Sequence, residues 1–177
     1  MSEPAVSIRP LSAEEALERT AALAEVLIDC VDGGASVSFM APLDTAKAAA
    51  FWRSVAEGVG RGERILLIAE DGPGGDMLGT VQLVLAQPEN QPHRADLSKM
   101  LVHRRARRRG VGAALMRGAE DAARGAGKTL LVLDTASDDA ERLYERMGWA
   151  RVGVIPGYAL MPDGSPCDTT YFYMRIA

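Results

Sequence analysis

Cysteine and histidine are scarce in this chain of 177 residues, which contains two of each. The two cysteines, Cys30 and Cys167, are too few for a disulfide framework, and no Cys/His spacing resembles a metal site. The chain also lacks an apolar run long enough to span a membrane, and residues 1–4 are neither basic nor followed by an apolar signal region. We therefore expect a cytoplasmic protein that uses neither a metal ion nor a membrane.

Net negative charge limits the partners that the chain can attract. Lysine and arginine number 20 against 24 aspartates and glutamates, which gives a formal net charge of −4. A nucleic-acid-binding protein needs a broad basic face with aromatic neighbours, so we expect no nucleic-acid partner. The exception is an arginine run at residues 104–109, which is either a solvated loop or a group of cations that face phosphates.

Composition and periodicity predict one globular domain, residues 1–177. Hydrophobic residues make up 47% of the chain and charged residues 25%, as is typical of proteins with a full core. Apolar runs of strand length and apolar residues at helical spacing predict strands at 6–10, 64–70, 77–87, 95–102, 129–135, 150–155 and 169–176, and helices at 13–30, 44–59, 111–124 and 137–148. This order predicts an α/β (α+β) fold in which helices cover both faces of a mixed, largely antiparallel sheet.

A glycine-punctuated turn joins the fourth predicted strand to the helix that follows it. Free N–H groups and the positive end of the dipole at a helix N-terminus favour an anion, and glycines let the backbone approach a diphosphate closely. The spacing lacks both the third glycine of a dinucleotide-binding loop and the Gly-Lys-Ser/Thr of a nucleotide P-loop. The candidate phosphate-binding residues are Arg107, Arg108, Arg109, Gly110, Val111, Gly112 and Ala113.

A second motif follows after one more predicted strand. Residues 137–149 read Ser-Asp-Asp-Ala-Glu-Arg-Leu-Tyr-Glu-Arg-Met-Gly-Trp, with a helix cap at Ser137 or Asp138 and a stop at Gly148. Arg-x-x-Gly-x-Gly followed by this segment resembles the acetyl-CoA loop and the Ala-x-x-Leu-Tyr-x-x-x-Gly-Phe signature of the GNAT superfamily of N-acetyltransferases, with Trp149 in the place of Phe. The segments 34–39, 95–100 and 153–164 are similar to the branch that contains the tabtoxin-resistance acetyltransferases.

The resemblance implies a GNAT fold with acetyl-CoA as the cosubstrate. In that fold the fourth and fifth strands are parallel and splay apart, and the pantetheine of acetyl-CoA lies in the gap. The resemblance therefore implies that backbone groups near Met100, Leu101 and Val102 bind the pantetheine amides by strand addition. It is also compatible with a homodimer.

Three side chains are candidates for the chemistry. The resemblance implies that Tyr144 lies beside the thioester sulfur and acts as the general acid for the CoA thiolate; the alternative is a ring that only packs in the core. Asp96 and Asp134 lie in or at the end of apolar strands, where an unpaired carboxylate is costly, and the resemblance suggests that they are bases. Each is otherwise a structural acid, so Asp96, Asp134 or neither is the general base.

The leading hypothesis for function is acetyl-CoA-dependent transfer of an acetyl group to a small amine, such as an amino-acid-like antimetabolite. Loops predicted at 33–42 and 155–167 carry Ser36, Phe39 and Tyr158, the candidate acceptor-binding residues. One alternative is acetylation of protein N-termini or lysines, which usually needs an open groove. The other is a CoA-binding sensor without turnover. The presence of Tyr144, Asp96 and Asp134, the three candidate catalytic residues, argues against it.

Overall fold

Seven strands form one sheet in the computed structural model, which describes residues 5–176. The strands are β1 (Val6–Leu11), β2 (Arg64–Asp71), β3 (Met77–Val84), β4 (Arg94–Val102), β5 (Leu130–Thr135), β6 (Ala150–Leu160) and β7 (Pro166–Arg175). Their order is β1-β2-β3-β4-β5-β7-β6, and every neighbouring pair is antiparallel except β4 and β5. The predicted fold class is therefore confirmed. Residues 1–4, for which the sequence predicts no signal segment, and residue 177 lie outside the described residues.

Helices pack on both faces of the sheet, as predicted. They are α1 (Ala13–Glu18), α2 (Thr20–Asp32), α3 (Thr45–Gly60), α4 (Val111–Gly125) and α5 (Asp138–Arg146), with a short 3-10 turn at Arg104–Ala106. Because side chains of a strand alternate between faces, Leu66 and Ile68 of β2 join the core under α1–α3, whereas Leu67 and Ala69 join the core under α4 and α5.

Side-chain caps fix where three of the helices begin. Ser12 accepts a hydrogen bond from the Glu15 N–H at 3.1 Å and starts α1. Asp44 accepts a hydrogen bond from the Lys47 N–H at 2.7 Å and starts α3. Ser137 accepts one from the Ala140 N–H at 3.3 Å and starts α5. Each cap satisfies an N–H that has no acceptor inside its helix.

The single helix predicted at 13–30 is wrong, because the chain forms α1 and α2 with a break at Arg19. The Thr20 hydroxyl donates to the Leu17 carbonyl at 2.7 Å, which competes with regular helical bonding. Arg19 is the residue between the two helices, with a φ of −93° and a ψ of 11°, and its Nη1 forms an ion pair with the buried Glu70 of β2 at 2.6 Å. This long-range ion pair has no signal in the helical periodicity.

The last two strands are longer than predicted. A bulge between Ile155 and Ala159 interrupts the β6–β7 ladder, which then resumes. Gly157 lies in the bulge with a φ of 62°, a conformation that suits glycine. Most of the segment predicted as a loop at 155–167 is therefore strand, and the turn is confined to residues 161–165.

Candidate functional site

The sheet opens between β4 and β5. The two parallel strands pair only over Arg94–Asp96 and Leu130–Val132. Beyond this point, β4 pairs with β3 alone among the described strands, so the other edge of β4 carries backbone groups without a strand partner. The candidate pantetheine-binding residues Met100, Leu101 and Val102 lie in this stretch.

The N-terminus of α4 lies at the mouth of this gap. Gly110 is the residue before the helix and has a φ of 74°, in the left-handed region. The first N–H of the helix that reaches a carbonyl there is that of Ala114, which bonds to the Gly110 oxygen at 3.0 Å. The N–H groups of Val111, Gly112 and Ala113 therefore have no acceptor within α4.

Gly112 lies where the start of α4 approaches both α5 and the end of β4. A Cβ at this position would lie 3.1 Å from Leu143 Cδ2 of α5 and 3.9 Å from both Met100 Sδ and Val102 Cγ2 of β4. The absence of a side chain therefore lets Leu143 of α5 approach the start of α4 closely, beside the end of β4.

The arginine run divides into paired and unpaired cations. Three of its members contact acids at 2.8–2.9 Å: Arg104 with Asp29, Arg105 with Glu25 and Arg109 with Asp71. Arg107 and Arg108 are exposed, and no carboxylate among residues 5–176 lies within ion-pair distance of either. The hydrogen bond from Arg142 lowers the pKa of Asp139, and the charges of Arg107 and Arg108 lower it further. The two unpaired guanidinium groups are therefore close enough to the start of α5 to act on its charges.

Tyr144 lies on α5 and packs into the core under α4 and α5. Its ring is 5.7 Å from the Phe172 ring and 6.1 Å from the Trp149 ring, and only 4% of the residue is exposed. None of the described groups forms a hydrogen bond with its hydroxyl. Burial raises the pKa of Tyr144 far above the usual range, and the negative charge of Asp134 adds to this effect. The phenol therefore keeps its proton at neutral pH.

Asp134 points to the opposite face of the sheet from the buried side chains of β5. Its neighbour Leu133 joins the core that contains Tyr144, so alternation along the strand turns Asp134 toward the α3 side. Thr169 donates to Asp134 Oδ2 at 2.9 Å and to the Thr135 carbonyl at 3.2 Å. One carboxylate oxygen is thus held by a buried hydroxyl, and no hydrogen bond to Oδ1 is found in the described part of the chain.

Asp96 lies where β4 and β5 begin to separate. Arg94 Nη1 forms an ion pair with its Oδ1, and Gln87 Nε2 donates to its Oδ2 at 3.1 Å. Both carboxylate oxygens are therefore engaged. Of the two candidate bases, Asp96 is therefore the one whose carboxylate is held by other side chains on both oxygens.

Tyr171 lies within the electrostatic reach of both aspartates. It is paired with Asp134 across β5 and β7, and its hydroxyl lies 3.1 Å from that of Tyr158. The hydrogen bond with Tyr158 raises the pKa of Tyr171 to about 12, with further contributions from burial and from the charges of Asp134 and Asp96. The structure therefore brings Asp96, Asp134 and Tyr158 into one region.

Loop 33–42 is attached to the β6–β7 hairpin across this region. The Ser36 hydroxyl donates to the Leu160 carbonyl at 3.0 Å, and the Ala41 N–H donates to the Pro162 carbonyl at 3.0 Å. Phe39 stays on the helical side, where its ring meets the Phe51 ring edge-on at 5.3 Å. The three acceptor candidates therefore do not form one cluster, because Ser36 and Tyr158 are on the hairpin side and Phe39 packs on α3.

Sequence reasoning missed several residues of this region. Lys99 is a cation in an apolar strand and carries the same signal that drew attention to Asp96. Thr169 and Tyr171 give no comparable signal, because only the β5–β7 register places them beside Asp134. Phe51 has the spacing of a core residue of α3, and only its contact with Phe39 reveals that it borders the loop.

Residues 5–176 carry no signal of a membrane span or of a metal site. None of the helices there is both long and apolar enough to cross a membrane. No group of three or more His, Cys, Asp or Glu side chains in that range is arranged to hold a metal ion.

Solved structures with the same fold include several acetyltransferases. A putative acetyltransferase from Salmonella typhimurium, solved with acetyl-CoA, is 20% identical, with a TM-score of 0.76 and coverage of 98% of this chain and 95% of that chain. A ribosomal-protein-alanine N-acetyltransferase from Brucella melitensis is 20% identical, with a TM-score of 0.78 and coverage of 96% and 99%. A putative phosphinothricin N-acetyltransferase is 18% identical, with a TM-score of 0.75 and coverage of 98% and 99%. At these identities the likeness shows the fold alone.

The family assignment comes from the sequence. The sequence model of the acetyltransferase (GNAT) family matches residues 35–149. This range is most of the chain, and it contains the open end of β4, the N-terminus of α4 and Tyr144 of α5. The chain belongs to the acetyltransferase (GNAT) family.

Proposed function

We propose that this chain transfers the acetyl group of acetyl-CoA to the amine of a compact, amino-acid-like molecule. The observation that carries the proposal is the pair of hydrogen bonds that attach loop 33–42 to the β6–β7 hairpin, through Ser36 and Ala41. They hold the loop against the hairpin on the side of the sheet on which Asp134 lies, and a loop held over an acceptor site favours a small acceptor over a protein tail. The assignment to the tabtoxin-resistance branch also remains a proposal.

The residues around the gap fit acetyl-CoA. The unpaired N–H groups of Val111, Gly112 and Ala113 suit a diphosphate, and Arg107 and Arg108 are cations without acidic partners in residues 5–176. Arg109 is a weaker candidate because its Nη2 contacts Asp71 at 2.9 Å. The free edge of β4 at Met100–Val102 suits the amides of a pantetheine arm. When bound, acetyl-CoA supplies an acetyl group activated as a thioester.

Asp134 is the carboxylate that we assign to the acceptor amine. An alkyl amine must lose its proton before it attacks, which costs about 4.6 kcal/mol at pH 7, and a carboxylate can accept that proton directly or through water. Asp134 has an oxygen free of hydrogen bonds from the described residues, whereas both oxygens of Asp96 are engaged by Arg94 and Gln87. We assign Asp96 to holding the start of the gap.

Tyr144 is the proton donor in this proposal. The amine nitrogen forms a bond to the thioester carbon, the carbon–sulfur bond breaks, and the sulfur leaves with the electron pair. The Tyr144 hydroxyl gives its proton to that sulfur, while Asp134 takes the proton that the amine loses. Tyr144 and Asp134 belong to opposite faces of the sheet at β5, so the two proton transfers occur on opposite sides of the gap.

Acetylation of protein N-termini is the second candidate. It is favoured by the Brucella melitensis neighbour, a ribosomal-protein-alanine N-acetyltransferase with a TM-score of 0.78. The contacts of Ser36 and Ala41 with the hairpin argue against it, because a chain end would have to displace them. A sensor that binds CoA without turnover is disfavoured by the free hydroxyl of Tyr144 and by the oxygen of Asp134 that remains available.

Release of the CoA thiol from acetyl-CoA, measured with compact amines and with unstructured N-terminal and lysine peptides, tests the proposal. We expect the highest kcat/KM for a compact amine, and a kcat about 100-fold lower for Asp134→Asn. Asp96→Asn is the matched control and should lose less. A kcat/KM that is higher for peptides than for every compact amine would favour the protein-acetylation hypothesis instead. Binding of CoA without turnover of any amine would favour the hypothesis of a CoA-binding sensor.

A further inference from the structure

Lys99 lies in a bulge of β4. The β3–β4 ladder pairs Gln82 with Ser98 and Thr80 with Leu101, so β4 has one extra residue between these two pairs. Lys99 has a φ of 51°, in the left-handed region that non-glycine residues seldom adopt. Backbone of this kind persists where the surrounding structure holds it, and it is frequent at functional sites.

The contacts of Lys99 direct its amine toward loop 33–42. Its Nζ donates to Ser38 Oγ at 3.0 Å and lies 5.7 Å from the centre of the Phe51 ring. Ser38 is itself a non-glycine residue with a positive φ, of 76°, so two residues in unusual backbone conformations contact each other. This pairing places a cation beside loop 33–42.

Lys99 has no counter-ion in the described structure. Its side chain is partly buried, and no carboxylate of residues 5–176 lies within ion-pair distance of its Nζ. Burial lowers the pKa of Lys99, the charge of Asp134 opposes that change, and the charge of Arg64 reinforces it. A cation withdrawn from water without an anion is costly, and an anionic group on a ligand would remove that cost.

Charges of both signs lie around Lys99. Arg64, whose Nη1 donates to Gln82 Oε1 at 2.9 Å, contributes a second positive charge on the β2 side. Asp134 contributes a negative charge that acts on both Lys99 and Tyr171, and Asp96 acts on Tyr171. The complement of such a pocket is a small molecule that carries a cation or amine at one end and an anion at the other.

We propose that Lys99 binds the carboxylate of the acceptor, so that the acceptor is an α-amino acid or a close analogue held with its amine toward Asp134 and its carboxylate on Lys99. This inference rests on the proposed function, since it names the substrate class of that same site. Lys99 is a specificity residue in this account and takes no part in proton transfer. Ser38 positions the Nζ of Lys99, and the Phe51 ring lies beside the same Nζ.

Paired substrates that differ only in the carboxylate test this proposal. The probes are L-methionine, L-leucine and L-phenylalanine, each compared with its carboxamide and its decarboxylated amine. We expect the wild type to favour the acid, and Lys99→Met to lower kcat/KM for the acids about 10- to 100-fold, mainly through KM, because a charged hydrogen bond is lost. The carboxamides should be affected little, and Lys99→Arg should recover part of the preference.

Two controls separate this role from others. Lys47→Met removes an exposed cation 6.0 Å from the Phe39 ring and should leave the preference for acids unchanged. The affinity of Lys99→Met for CoA, measured by calorimetry, should equal that of the wild type. A clear loss of CoA affinity would mean that Lys99 binds a phosphate of CoA, and would overturn the proposal.

A binding measurement distinguishes failure of this inference from failure of the proposed function. Calorimetry with CoA present compares N-acetyl-L-methionine with its carboxamide, and it needs no turnover. If amines are acetylated but Lys99→Met keeps the wild-type ratio of acid to amide, the Lys99 assignment is wrong and the proposed function stands. If no amine is acetylated but the acid binds better in a Lys99-dependent way, the anion site stands and the proposed function fails. If neither occurs, both are wrong.

Discussion

Tyr144 is the residue on which the proposed chemistry depends most. Tyr144→Phe removes only the hydroxyl, which has no hydrogen-bond partner in residues 5–176, so the fold should be unchanged. We expect kcat to fall about 100-fold, as for loss of a general acid, with no change in the Kd for acetyl-CoA. Because burial raises the pKa of Tyr144, kcat should show no loss from ionisation of this phenol up to about pH 10.

Steady-state kinetics over pH, together with calorimetry, check this expectation. Tyr173→Phe is the matched control, since Tyr173 is an exposed tyrosine of β7. Normal turnover by Tyr144→Phe would reduce Tyr144 to a packing residue beside Phe172 and Trp149.

Glu70 shows how a single buried charge can fix several segments. Its side chain is fully buried, and its carboxylate contacts Arg19 at 2.6 Å, Arg9 at 3.1 Å and the Gly74 N–H at 3.3 Å. Burial alone would raise the pKa of Glu70, but the hydrogen bonds from Arg19, Arg9 and Gly74 outweigh it and lower the pKa. The lowered value in the folded state means that Glu70 contributes stability above the ordinary carboxyl pKa and loses it as the pH falls.

Glu70→Gln should therefore lower the free energy of unfolding by about 1–3 kcal/mol at pH 7. The difference from the wild type should shrink as the pH falls below about 4, because the wild-type carboxylate is then protonated. Urea unfolding at several pH values measures this. Glu57→Gln, which alters an exposed pair with Arg61, should change stability little, and an equal loss in both variants at every pH would contradict the account.

Among the elements, the N-terminus of α4 has the most direct test. Gly112→Val places side-chain atoms where Leu143 Cδ2 is only 3.1 Å from the Cβ position and Met100 Sδ is 3.9 Å away. We expect the affinity for acetyl-CoA to fall at least about tenfold, because a loss of 1.4 kcal/mol already has that effect. Gly125→Val in the same helix is the control, since its Cβ would meet open space.

Calorimetry measures the affinity of both variants for acetyl-CoA, and circular dichroism checks that both are folded like the wild type. Equal affinities for acetyl-CoA in Gly112→Val, Gly125→Val and the wild type would remove the α4 N-terminus from the cofactor site.

Elements with local signals were predictable, and elements shaped by distant contacts were not. The capping side chains of Asp44 and Ser137 mark helix starts in the sequence itself. Arg19, at the break between α1 and α2, pairs with Glu70, which is 51 residues away. The continuation of β6 past Ile155 depends on a bulge that re-forms the ladder with β7. Periodicity reports neither of these pairings.

For the molecule as a whole, the mixed sheet and its parallel β4–β5 pair were expected from the element order and the family resemblance, whereas the place of β7 between β5 and β6 and the layout of the acceptor side were not. Gly110, Gly112 and Tyr144 belong to contiguous motifs, so the sequence was enough to predict that they lie at one site. The acceptor side is assembled from loop 33–42, β4, β5 and the β6–β7 hairpin, which are far apart along the chain. The role proposed for Lys99 rests on a bulge in β4 and on a contact with Ser38, and the sequence predicts neither.

A structure of the protein with CoA tests the central claim most directly, and the decisive quantity is the distance between the Tyr144 hydroxyl and the CoA sulfur. The account predicts that this distance is within hydrogen-bond range of a sulfur, below about 4 Å. It also predicts that the diphosphate lies on the N–H groups of Val111–Ala113 and that the pantetheine runs along the free edge of β4. A cofactor bound elsewhere, or a sulfur far from Tyr144 on the other side of the gap, would contradict it.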